Sequence, residues 1–319
     1  MFTPKNILIT GGSGFIGSNF IHYMLRKYDD IKIFNLDKLT YASNSHNLLP
    51  IKDNASYQFL RGDICDRDNV NQIFLNNNIN TVIHFAAESH IDRSITSASD
   101  FIKTNIVGTH ILLEAASNAW DLTNTNTKEC RFHHISTDEV YGSLNERDPG
   151  FVEDSKYFPS SPYSASKASS DHLVRAWAET FKLPVTISNC SNNYGKYQHH
   201  EKLIPVIINS CKNETSIPIY GNGTNIRDWL HVDDHCSAID LIVRNAKNDS
   251  VYNIGGNCEK SNLEIVKIIC EICDHLMPRS SPYIDLINFV DDRKGHDFRY
   301  AVNSKKLKKE LNWSPLISF

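Results

Sequence analysis

The chain has 319 residues, with 40% hydrophobic and 22% charged side chains and a net charge of −4. That is ordinary for one large or two modest globular domains, and the slight negative balance gives no reason to expect nucleic acid or an acidic membrane surface as a partner. No apolar run approaches the roughly 20 residues that cross a bilayer, and the sequence enters an apolar stretch at Ile7 with no leader-like segment before it, so a cytoplasmic setting is expected.

In chain order, the stretch 7–10 reads as a buried strand and 14–28 as a helix, with a second strand over 31–37. A helix is expected around 67–77, a strand over 81–85, a helix over 100–119 and a strand over 131–136. A further strand over 185–188 follows Pro184. Strand–helix alternation of this kind gives an α/β fold, a Rossmann-type doubly wound parallel sheet with helices on both faces. Beyond Pro184 the pattern loosens into the polar loop 191–195 and mixed short elements. The expected division is a dinucleotide-binding domain over 1–188, with a return segment at about 230–254, and a smaller C-terminal lobe drawn mainly from 189–319 that binds substrate. Ligands in such sheets lie at the carboxyl ends of strands, and there the unusual residues gather: Gly11, Asp37, Asp63, Ala86 and Thr137.

Gly11, Gly14 and Gly17 follow the first strand and open the first helix. Glycines let a pyrophosphate approach the backbone, and the helix N-terminus offers free N–H groups and a partial positive charge. Asp37 stands at the end of the second strand, where an acid accepts from an adenosine ribose 2′-hydroxyl and repels a 2′-phosphate. NAD is therefore expected over NADP, with Lys38 next door weakening the discrimination. The eight cysteines are scattered, as free thiols in a reducing compartment are. Cys270 and Cys273 form a single CxxC within a helix-period segment, 263–276, with no second pair to complete a tetrahedral site. His199–His200, and His231 with His235, lack a surrounding carboxylate framework, so no metal is expected.

Two groups carry the chemistry. Thr137, Asp138 and Glu139 follow the strand that ends at Ser136, so two adjacent acids sit at a strand end. Downstream, Tyr163 and Lys167 are four apart and share one face of a helix. An ammonium beside a phenol favours the phenolate, which makes a base near neutral pH. A base of that type, two acids and a glycine turn point to redox chemistry coupled to an elimination. For both acids to reach one ligand the chain must turn at 137–139, because successive strand residues face opposite ways. Burial and the Glu139 charge are expected to raise the Asp138 pKa, so that it acts as a proton donor.

These motifs resemble the extended short-chain dehydrogenase/reductases that act on nucleotide sugars, and within them the dTDP-glucose 4,6-dehydratases. The matching stretches are 85–94, 132–142, 160–177, 226–229 and 292–297, and the resemblance spans nearly the whole chain. The Thr-Asp-Glu triplet is its specific part, since sister epimerases and decarboxylases share the Tyr and Lys but usually lack both acids. The resemblance implies a lyase with a retained NAD. Tyr163 takes the C4 hydroxyl proton as hydride leaves C4, Glu139 removes and later returns the C5 proton, and Asp138 protonates the departing C6 hydroxyl. Thr137 hydrogen-bonds the sugar 4-hydroxyl or Tyr163, and Lys167 holds the nicotinamide ribose and lowers the Tyr163 pKa.

By the same resemblance the cofactor lies against Gly11, Gly14, Phe15, Ile16, Gly17, Asp37, Lys38, Thr40, Asp63, Ile64, Ala86, Ala87, Ser89, Thr104, Tyr163, Lys167 and Asn193. The nucleotide sugar lies against Ser89, Thr137, Asn192, Lys202, Leu203, Pro218, Tyr220, Arg227, Asn262, Arg293 and His296. Arg227 and Arg293 make physical sense as partners of a diphosphate, because guanidinium meets phosphate oxygens in a two-pronged way. A homodimer is implied through the helices near 100–119 and 163–181, with Leu173 and Trp177 as exposed apolar candidates, and a product that enters 6-deoxyhexose synthesis such as rhamnose. Lys196 replaces a usual Pro, Gln198-His199-His200 replaces a His-Phe-Pro-like stretch, and Lys294 replaces a further Pro. Proline fixes φ, so these changes loosen loops of the substrate lobe and leave dTDP-glucose against UDP-glucose open. The chain also stops short of a last helix expected in relatives. The rivals are an NAD-dependent nucleotide-sugar C4 epimerase, a sugar-acid decarboxylase, and a non-catalytic dinucleotide-sensing module.

Overall fold

The computed structural model describes residues 2–120, 122, 129–293 and 295–319. The first half runs β1 (Asn6–Thr10), α1 (Phe15–Lys27), β2 (Lys32–Asp37), β3 (Tyr57–Arg61), α2 (Arg67–Asn77), β4 (Thr81–His84) and α3 (Ile91–Thr96). A short α4 (Ser99–Phe101) continues through a π-helical stretch, Ile102–Gly108, into α5 (Thr109–Ala119), followed by β5 (Arg131–Thr137), α6 (Pro162–Phe181) and β6 (Val185–Cys190). Then come β7 (Asn192–Tyr194), α7 (Leu203–Asn213), β8 (Ile217–Tyr220), β9 (Ile226–His231), α8 (Val232–Asn245) and β10 (Ser250–Ile254). The chain closes with β11 (Glu259–Ser261), α9 (Asn262–Leu276), β12 (Ile287–Val290) and α10 (Lys305–Leu311).

Seven parallel strands form one sheet in the order β3-β2-β1-β4-β5-β6-β10. This is a Rossmann-type doubly wound sheet. Strand residues alternate between the two helix layers, as a period of two requires. Ile7 and Ile9 of β1 pack with Phe20, Met24, Ile239 and Trp313, whereas Leu8 packs with Phe74, Leu112 and Val174 on the other face. The chain goes from β1 to β2 on one side and returns to β4 on the other, which opens a crevice at the carboxyl ends of β1 and β4.

β3 has no counterpart in the sequence reading. It is the edge strand, its residues Tyr57 to Arg61 are all partly or fully exposed, and no buried apolar run marks it. β10, α8 and α10 pack on the large sheet, with Trp313 in the same core. A second apolar core holds Ile207, Ile217, Trp229, Ile265 and Tyr283 between α7, α9, the β7-β9-β11 sheet and the β8-β12 pair. Cys270 and Cys273 point into this core beside Cys211, and all eight cysteines are free. Leu173 and Trp177 are half-buried against the large core rather than exposed, because α6 turns that side toward Val174 and Ala178. The exposed apolar residues of these helices are Ile102, Val107 and Phe181. No helix among the described residues is long and apolar enough to cross a membrane.

Candidate active site

One cavity of about 780 Å³ lies at the carboxyl ends of the strands, against the second core, and every residue singled out for catalysis, cofactor or substrate lines it. At one end is the glycine turn. Gly11 has φ +70°, and a Cβ there would sit 2.7 Å from the Ala86 backbone. A Cβ on Gly17 would sit 2.5 Å from the Gly11 carbonyl, so the turn and the start of α1 close up only without side chains. Asp37 ends β2 and is fixed by three donors: the Ser13 N–H at 2.9 Å, the Leu39 N–H at 2.8 Å and the Ser43 hydroxyl at 2.8 Å. Lys38 pairs with Asp63 at 2.8 Å, which holds its ammonium in a contact of its own rather than free beside Asp37. Phe15, Ile16, Thr40, Ile64, Ala86, Ala87, Ser89, Thr104 and Asn193 complete this end. A glycine cradle at a helix N-terminus with an ordered carboxylate on the next strand fits a dinucleotide lacking a 2′-phosphate.

In the middle, β5 ends at Thr137 and the chain turns at once into a 3₁₀ turn, Asp138–Tyr141, capped by the Thr137 hydroxyl accepting from the Glu139 N–H at 3.3 Å. The turn sends both acids into the cavity. Asp138 is buried, and its carboxyl is pushed well above the usual range, first by burial and next by the Glu139 charge. Burial also raises Glu139, and Arg227, Lys202 and Arg293 offset only part of the rise. Asp138 Oδ2 and Glu139 Oε2 have no hydrogen-bond partner in the protein. Buried acceptors are seldom left so unless a ligand meets them.

Opposite, α6 starts in a capping box made by Ser161 and Ser164 with Pro162 in its first turn, which puts Tyr163 at the helix start and Lys167 one turn further on. Lys167 donates to the Ile135 carbonyl at 2.7 Å. The expected lowering of Tyr163 by Lys167 is not what this site gives. Burial raises the phenol, Glu139 raises it further, and the hydrogen bond with Thr137 only partly offsets this. Burial likewise lowers Lys167, and Asp171, one helical turn on, acts to keep it charged.

At the far end three cations converge. Arg227 is buried and spends its donors on backbone carbonyls of Ile226, Phe298 and Asp297 at 2.7, 3.3 and 3.1 Å, with its guanidinium over the Tyr300 ring at 4.4 Å. Arg293 lies over Tyr220 at 5.1 Å with Nε unpartnered, and Lys202 reaches the Ser89 carbonyl at 3.3 Å. His296 bonds Asp292 at 2.6 Å and leaves Nε2 without a partner. Asn192, Leu203, Pro218 and Asn262 line the wall. Arg293 pairs with Asp92 at 3.7 Å, whereas Arg227 makes no ion pair with a carboxylate among the described residues, so with Lys202 it leaves positive charge at this end for an anion.

The sequence reading missed Tyr41, His90, Gln198, His199, Glu201, Asp297 and Tyr300, which also line the cavity. His90 and Asp297 lie within the matched stretches 85–94 and 292–297, and Gln198 and His199 are marked only as departures from the family pattern, whereas Tyr41, Glu201 and Tyr300 stand outside any glycine, acid or Tyr–Lys pattern. The Lys294 departure lies outside the described residues. Among the described residues no group of three or more His, Cys, Asp or Glu could hold a metal. His235 bonds Asn193 at 2.9 Å and His231 accepts from the Asp233 N–H at 3.2 Å as the cap of α8.

The family described as GDP-mannose 4,6 dehydratase matches residues 8–319. A dTDP-glucose 4,6-dehydratase of Haemophilus influenzae is 52% identical, with 98% of this chain and 94% of that protein covered. The chain belongs to the dTDP-glucose 4,6-dehydratase family. A second member, from Neisseria gonorrhoeae, is 51% identical, over 99% of this chain and 92% of its own length. Among solved members, the Streptomyces venezuelae enzyme with NAD and TYD bound superposes with a TM-score of 0.90 at 40% identity, covering 98% of this chain and 93% of that one. The Bacillus anthracis enzyme in complex with NAD gives 0.86 at 42%, covering 99% and 93%. A Thermotoga maritima UDP-glucose 4-epimerase, at 26% identity, gives 0.85 over 98% and 94%, so the fold alone does not separate dehydratases from epimerases.

Proposed function

We propose that this protein is an NAD-retaining 4,6-dehydratase of dTDP-glucose, with UDP-glucose as the second candidate substrate. The reading rests on the two acids at the end of β5. Both face the cavity beside Tyr163, both have raised pKa values, and each has one oxygen left for a ligand. Bound NAD supplies the hydride acceptor and donor. Tyr163 would take the C4 hydroxyl proton as its phenolate, a form that the cationic nicotinamide ring of bound NAD would favour against the burial that raises the phenol, with Thr137 orienting it. The C4 ketone acidifies the C5 hydrogen, and Glu139 removes that proton. Asp138, kept protonated by burial, gives its proton to the C6 oxygen, which leaves as water. Glu139 then returns a proton to C5 as the hydride arrives at C6. Arg227, Arg293 and Lys202 hold the diphosphate, and Asp37 takes the adenosine ribose. The lobe drawn mainly from 189–319 carries the nucleotide sugar, and residues 1–188 with the return at 230–254 carry the dinucleotide.

An epimerase has no use for two buried acids beside the tyrosine. A homodimer through the helical run 99–119 and α6 belongs to the same reading, supported by exposed Ile102, Val107 and Phe181. So does a cytoplasmic setting, supported by eight unpaired thiols. Mass spectrometry of the purified protein incubated separately with dTDP-glucose and UDP-glucose, with no added NAD, tests the assignment. A product lighter by one water is expected, formed faster from dTDP-glucose, and unchanged mass with both sugars would refute it.

A further inference from the structure

Residues 195–202 tie the second lobe to three separate parts of the first. The Lys196 carbonyl accepts from Asn19 of α1 at 2.8 Å, and the Tyr197 ring lies 5.8 Å from His22 on the same helix. His199 Nε2 donates to the Tyr41 carbonyl, in the loop after β2, at 3.1 Å. Its Nδ1 faces the Glu201 N–H at 3.5 Å, which fits the tautomer with the proton on Nε2. Glu201 meets Arg93 at 3.1 Å and His90 at 3.4 Å, both after β4. Arg93 in turn covers the Tyr41 ring at 3.6 Å.

α1, the loop after β2 and the loop after β4 surround the glycine turn at the end of β1. The segment fastened to these parts and to α3 lines the same cavity as that turn. Gln198, His199 and Glu201 of the segment line the cavity, and Gln198 Oε1 is buried without a partner. Within the segment Tyr197 takes a left-handed φ of +70°, a strained choice for a bulky residue. Contacts between side chains and the opposite parts of the first lobe hold that conformation in place.

Resting on the NAD reading above, we propose that His199 and Glu201 are positioning residues that fasten this strap over the bound dinucleotide and set how long it is retained. The experiment is to purify the protein with its NAD, dilute it into NAD-free buffer, and follow dinucleotide release for wild type, His199→Ala, His199→Phe and Glu201→Ala. Losing one such bond is expected to speed release about five- to tenfold, more for Glu201→Ala because it frees both Arg93 and His90. His199→Phe keeps a ring against Tyr41 but has no N–H, so it should release as fast as His199→Ala. Activity lost on dilution should return when NAD is added, and the melting temperature of the cofactor-stripped variants should stay at that of stripped wild type. Wild type and all variants releasing NAD at one rate would overturn the strap while leaving the NAD reading intact. A wild type that holds no dinucleotide as purified would overturn both.

Discussion

Replacing Asp138 by Asn should cost activity and add stability at the same time. The carboxyl is 2% exposed, and its pKa stands well above 3.8 because of burial, then Glu139 and Asp228, with Arg227 pulling the other way. Asparagine fills the same space but has no proton to give to the C6 oxygen. Loss of a general acid removes roughly 10²- to 10⁴-fold in rate, about 2.7–5.4 kcal/mol of barrier at about 1.36 kcal/mol per tenfold. For stability, the folded pKa lies above the unfolded one. The native state therefore keeps a proton that the unfolded chain gives up once the pH passes 3.8, and the native state is penalised increasingly as pH rises toward the folded value. Asparagine removes that penalty. A gain of about 1 kcal/mol at neutrality corresponds to roughly 2–4 °C in melting temperature for a chain of this size, and the gain should vanish toward about pH 4. Turnover by product mass and melting by scanning fluorimetry across pH would measure both. Wild-type turnover, or a variant that melts below wild type at neutral pH, would refute the reasoning.

Glu139→Gln should stop C5 proton exchange and lower turnover by roughly 10²- to 10⁴-fold, yet leave C4 oxidation in place. Substrate addition should then raise the near-ultraviolet absorbance of reduced nicotinamide, and an unchanged spectrum would contradict the role. Asp171→Asn should move the alkaline limb of the rate profile to lower pH. Asp171 is the anion that counters the burial of Lys167, with Cys190 and His134 its other titratable neighbours, and without that anion the ammonium loses its proton sooner. An unmoved limb would assign Asp171 to packing, through its contacts with Ser136 and Tyr157. Arg227→Lys keeps the charge but loses the fork that spans three carbonyls. It should raise KM for the nucleotide sugar about tenfold, with a smaller effect on kcat.

Much of this arrangement was legible in the sequence where local rules decide it. β1, β2, β4 and β5 are buried almost throughout because both faces are covered, and each carries an apolar pair or run that marks it, the weakest being Phe132 and Ile135 in β5. The glycine turn and the Tyr163–Lys167 spacing are read from periodicity alone. The turn at Asp138 followed from the need to bring two adjacent acids to one side. β3 escaped because an exposed edge strand has no hydrophobic signature. The tie from His199 to Tyr41 escaped because its partners are 158 residues apart and one of them is a backbone carbonyl. The direction of the Tyr163 shift was misread for a similar reason: spacing shows that a cation is near, but burial and the Glu139 charge outweigh it only once the chain is folded.

The central claim is an elimination at C5 and C6 framed by an internal hydride transfer. The direct measurement is the reaction with dTDP-glucose in heavy water, read by mass and proton NMR of the product. The account predicts a product that has lost one water and gained one solvent deuterium at C5, so that it is one mass unit heavier than the product formed in ordinary water, with the C4 hydrogen carried to C6. A product of unchanged mass with C4 inverted and no deuterium at C5 would contradict it.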